Sequence, residues 1–198
     1  MALKMPGEVT HESRLRDPRP AHRFCDEARA LGDRLGPILV QLPPDFGPGE
    51  ADLLFPFLEG LPADLRVAVE FRDRRWLTAG TLRRIEDAGT ALALSMGPWL
   101  DGGAARGIAT EAPAGLLYLR WLGAPRARRA LEEVLADGDA EIAAWAELIP
   151  GLEQDEVYAY FNDDFQGHAP RSARRLQAEL GQDLVPPGEL SPQGDLFA

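Results

Sequence analysis

The apolar residues of this chain fall into six short, almost uninterrupted runs, separated by stretches where they recur every three or four positions. The runs cover residues 2–5, 37–43 (PILVQLP), 66–71 (RVAVEF), 90–95 (TALALS), 116–123 (LLYLRWLG) and 157–161 (VYAYF). Each has the length of a strand, and a strand apolar on both faces is one that is covered on both sides. Between the runs, helical spacing predicts a helix over residues 20–35, with Ala21, Phe24, Cys25, Ala28, Leu31 and Leu35 on one face and Gly36 as its stop. Further helices are predicted around Leu53, Leu54, Phe57 and Leu58, over residues 78–88, in two segments carrying Leu131, Val134, Leu135, Ile142, Trp145 and Ile149, and after Pro170. Residues 96–114, rich in glycine, predict an irregular connection. Six strands alternating with helices predict a parallel α/β fold, either a doubly wound sheet or a (β/α) barrel. Residues 1–183 are expected to form one domain, and residues 184–198, rich in Pro and Gly, a disordered tail.

Polar groups gather where the apolar runs end. In chain order they are Lys4 with Thr10 and His11, Gln41, Glu70 with Arg72, Ser95, Arg120, and the FNDDFQGHAP stretch with Asn162, Asp163, Asp164 and His168. In a parallel barrel these positions converge on one mouth, the face that carries chemistry in such folds. Glu70 is the sharpest of them, because a carboxylate ending an apolar strand needs a partner or a task. The alternative is an ion pair with Arg72 or Arg120 that only braces the mouth. With Asp163 or Asp164, Glu70 makes a candidate general acid and base, and Glu70, Asp163 and His168 are the candidate catalytic residues. Lys4, His11, Gln41, Arg72, Arg120, Asn162 and Asp164 are then the candidate substrate contacts. A divalent metal held by these carboxylates with His11 or His168 is the weaker reading, since three scattered histidines carry no metal-ligand spacing. His11 and His168 serve equally well as hydrogen-bonded loop residues.

Composition narrows the field. A net charge of −11 argues against broad binding to nucleic acid, although arginines cluster at 72–75, 120–129 and 171–175. Such clusters are usually solvated helix faces, and their other use is to grip a phosphate. The single cysteine, Cys25, leaves no partner for an intrachain disulfide and falls on the apolar helix stripe. No apolar run reaches the ~20 residues that span a bilayer, and no secretory leader is legible, so a cytoplasmic protein is expected. No Gly-rich phosphate loop follows any strand.

The segments MPGEVTH, LGPILVQLPPDF, VAVEFRDRRW, YLRWLG and YFNDDFQGHAP, in this order, resemble the YecE-like family, domain of unknown function 72. The resemblance runs over about residues 3–180. It implies a TIM barrel whose biochemical activity is not established, and two further βα units ahead of the first strand seen here. A barrel of six strands leaves its first and last strands with unpaired backbone. Three explanations stand: a start codon assigned too late, favoured because Met1 falls inside a family motif; edges paired in an oligomer; or a decayed copy. The resemblance also implies a histidine where Leu122 stands, an acidic residue near Ser95, and a second asparagine at Asp163.

These residues yield two expectations of function. One is a hydrolase or transferase acting on a phosphate ester or sugar-like substrate, with carboxylates as base or metal ligands and cations stabilising negative charge. The other is a non-catalytic binding protein. Its tail, Gln193 to Phe197, is similar to the pentapeptide that docks on bacterial sliding clamps, with Gln193, Leu196 and Phe197 as anchors.

Overall fold

In the computed structural model, six parallel strands are laid side by side in the order in which the chain makes them, β1 to β6. They are β1 Leu3–Lys4, β2 Ile38–Gln41, β3 Val67–Glu70, β4 Ala91–Met96, β5 Leu116–Trp121 and β6 Glu156–Phe161. The structure describes residues 1–123 and 136–184, apart from the side chains of Ala136, Asp137, Asp163 and Asp164. The expected helix around Leu131, Val134 and Leu135, the arginines at 126, 128 and 129, and the tail with its docking residues therefore lie outside the described residues. The helices are α1 Arg19–Ala28, α2 Ala51–Glu59, α3 Ala79–Asp87, α4 Gly102–Ala109, α5 Ala136–Leu148, α6 Asp163–Gln166 and α7 Ala169–Glu179. Among the described residues no helix is long and apolar enough to cross a membrane.

Strand alternation divides the core in two. Ile38, Val40, Val67, Val69, Leu92, Leu94, Leu117 and Leu119 point outward into the layer shared with the helices. Leu39, Ala68, Ala91, Ala93 and Tyr118 point inward, with Tyr158 and Tyr160 packed against them. Alanines on β3 and β4 leave room on the concave side for the tyrosines of β5 and β6, and Tyr118 and Tyr160 stack with ring centroids 4.9 Å apart. The sheet is curled. In a flat sheet β2 and β5 would stand about 14 Å apart, three strand spacings. Yet the side chain of Arg120 on β5 donates to that of Gln41 on β2 at 3.1 Å.

Two expectations are corrected. The predicted helix over 20–35 ends at Ala28 and continues as a 3-10 segment, Arg29–Arg34, broken at Gly32 with φ 52°. The stretch 96–114 is not irregular throughout, because it contains α4. Its glycines disfavour helix intrinsically, but Asp101 caps its first turn by accepting from Ala104 N, and Ala105 and Ala109 are fully buried. Gly102 is required for packing: a Cβ there would lie 1.8 Å from a carboxylate oxygen of Glu141 on α5. Glu141 in turn accepts from Arg106 and Trp145, which ties α4 to α5.

Candidate functional site

The C-terminal ends of the strands are held by loops chained one to the next. After β1 the chain makes a five-residue π-helix, Glu8–Glu12, then passes through Arg14 and Leu15 at φ 49° and 63°. That left-handed pair is disfavoured for side chains larger than Gly or Asn. Leu15 is buried there, and Arg14 is bonded to Asp45 at 3.0 Å and Glu50 at 2.6 Å in the loop after β2. Trp76, after β3, donates its indole N–H to Phe46 O at 2.8 Å, joining the third loop to the second. Arg72, at the end of β3, stacks over Trp99 of the fourth loop, 3.9 Å from its centroid. Trp99 itself folds back on Gly97, where a Cβ would come within 3.1 Å of the ring.

At the centre lies Glu70, with 0% of its side chain exposed. One carboxylate oxygen accepts from Arg72 Nε and the other from Arg120 Nη1, while Arg120 Nη1 also donates to Gln41. Burying a carboxylate is costly unless the charge is paired and hydrogen-bonded, and here each oxygen has a guanidinium partner. Lys4 joins this group from β1. Its ammonium is held below the usual lysine range, chiefly by burial and then by the nearby Arg120, with Glu70 opposing and Arg72 adding to the effect. Arg72 and Arg120 thus share one carboxylate, and Lys4, itself exposed on β1, lies within their electrostatic reach, so that among the described residues three cations face one buried carboxylate in an acidic protein. Beside them opens a cleft of about 280 Å³ lined by Arg120, Leu122, Tyr160, Phe161, Asn162 and Ala169. A larger groove of about 430 Å³ lies between β6 and α7 on the outer face, away from these cations.

The structure thus brings together Lys4, Gln41, Glu70, Arg72 and Arg120, and sets Asn162 at the same mouth. His11 is exposed and forms a 2.7 Å hydrogen bond through Nδ1 with Thr10 Oγ1. His168 caps α7, its Nδ1 accepting from Arg171 N at 3.1 Å, a use that the Pro170 helix start could have signalled. Asp163 and Asp164 open α6, and their side chains are outside the description. No group of three metal-binding side chains occurs among the described residues. Glu70 also fits a cation poorly, with an arginine on each oxygen and Lys4 close by. Ser95 is a mouth residue that residue type alone undersold. It is 2% exposed, and its hydroxyl has no partner among the described residues.

Comparison with known proteins places this architecture. A segment of 79 residues is 32% identical to the UPF0759 protein YecE of Escherichia coli K12, covering 39% of this chain and only 29% of that protein. A DUF72 family protein from Thermotoga maritima superposes with a TM-score of 0.71 at 22% identity, over 91% of this chain and 73% of its own. Another from Enterococcus faecalis gives 0.65 at 17% identity, over 92% and 74%. At such identities the structural likeness speaks to the fold, an incomplete TIM-like barrel of six parallel strands. The family model "Protein of unknown function DUF72" matches residues 1–194, and the chain belongs to that family.

Proposed function

We propose that the mouth recognises a small phosphate-bearing molecule, a phosphate ester or a sugar-like phosphate. One observation carries this reading: Arg72 and Arg120 converge on a single buried carboxylate, with Lys4 close enough to feel all three, so that positive charge is in excess among the described residues. Guanidinium groups pinned on a carboxylate are already oriented, so an incoming anion meets a prepared site. If the bound ester is turned over, the reaction is a hydrolysis or a transfer. The three cations then neutralise charge developing on the phosphoryl oxygens. Glu70, engaged on both oxygens, aims the two arginines and is poorly placed to take a proton. That same engagement favours, as the second reading, a binding protein without turnover.

Titration calorimetry with inorganic phosphate and a panel of sugar monophosphates tests the proposal. Binding is expected, weakening with added salt and falling at least tenfold in Arg120→Gln. A folded wild-type protein that binds no member of the panel overturns it. Release of phosphate from a bound ester separates the enzyme from the binding protein.

A further inference from the structure

We infer that the Ser95 hydroxyl is a ligand contact in this mouth, donating to an oxygen of the bound phosphate group. The inference rests on the anion-binding reading above and adds to it a residue outside the charged cluster. Four buried side-chain polar atoms lack a partner among the described residues: Ser95 Oγ, Trp99 Nε1, Trp121 Nε1 and Gln154 Oε1. Two of them belong to the C-terminal end of β4 and the loop that follows it, where the cations gather. Trp121, by contrast, belongs to the outer core.

The direction in which Ser95 points follows from strand alternation. Leu92, Leu94 and Met96 face the outer layer, whereas Ala91 and Ala93 face the concave side, and Ser95 continues the second series. Its register partner on β5 is Arg120, and Ala93, two residues before it, pairs with Glu70 on β3. The hydroxyl therefore sits on the concave face in the strand between Glu70 and Arg120. A buried hydroxyl left unpaired forfeits its hydration without compensation, so a native chain keeps one where something else completes it. Beside excess positive charge, the group that completes a donor is an anionic oxygen.

Ser95→Ala and Arg120→Gln, each compared with wild type by calorimetric titration with inorganic phosphate and by urea denaturation, provide the test. The expected result for Ser95→Ala is unfolding at the same or higher urea without ligand, and phosphate affinity about tenfold weaker. Should the Ala variant fold poorly, Ser95→Cys, close in size with a much weaker donor, is expected to show the same loss of affinity. Unchanged phosphate affinity in Ser95→Ala, with the loss in Arg120→Gln intact, overturns the role of Ser95 and leaves the mouth reading standing. If Arg120→Gln also binds phosphate like wild type, or wild type does not bind it, both fall.

Discussion

The two ends of the sheet spend their arginines differently. At the N-terminal end, Arg66 donates to Glu156 and to the Tyr158 hydroxyl on β6 and to Leu35 O, one cation against one carboxylate. Both ion-pair partners there are well exposed, at 44% and 52%. At the C-terminal end, Arg72 and Arg120 are 15% and 22% exposed, and the carboxylate between them is wholly buried. Lys4 adds a third cation there. The lower end is therefore a balanced pair in water, whose attraction is largely screened. Among the described residues, the upper end sets three cations against one carboxylate, with the two arginines largely desolvated. A protein tolerates such an imbalance where a ligand relieves it.

The largest test of this contrast is Glu70→Gln. Removing the carboxylate strands two guanidinium groups in a mostly buried setting, and a loss of about 3–5 kcal/mol is expected in urea denaturation. Added phosphate should recover part of that loss, since it supplies the missing negative charge. A variant as stable as wild type would mean that the arginines do not depend on Glu70.

Lys4→Met is expected to act more gently and with the opposite sign. The folded protein holds the Lys4 proton less tightly than the unfolded chain. Stability should therefore rise as pH climbs through the lowered Lys4 pKa towards the ordinary value near 10.5. Below that window, Met at this position should be neutral or stabilising by no more than ~0.5 kcal/mol, given solvent screening. Phosphate should raise the Lys4 pKa, which NMR of the side-chain amine can follow. A Lys4 that titrates identically with and without phosphate would remove it from the site. The smallest effect belongs to the lower end: Arg66→Gln should cost under about 1 kcal/mol and leave phosphate binding unchanged.

Much of the architecture was written in local pattern. Six apolar runs became six strands, four of them shorter than their runs, β4 shifted by one residue and β6 starting one residue earlier, and Cys25 is buried as its helix stripe implied. Pattern failed where packing overrides propensity. α4 is rich in glycine and is helical because Ala105, Ala109 and the close approach of Gly102 to Glu141 hold it against its neighbours. The helix from Arg19 stops short of its apolar stripe because Gly32 adopts a left-handed turn. His168 showed its residue type in the sequence and its use, as a helix cap, only in the fold.

The sequence by itself determined the strand count, the parallel α/β class and the fact that polar residues collect at the strand ends. These follow from periodicities of two and of about 3.6 residues, which any segment carries within itself. Only the tertiary structure decided which of those polar groups meet. Gln41 and Arg120 are 79 residues apart in the chain, and Glu70 and Arg120 are 50 apart. Their contact depends on the curl of the sheet, a property of all six strands together. The orphaned hydroxyl of Ser95 belongs to the same class of fact, because an unmet hydrogen bond is defined by its surroundings and not by its residue.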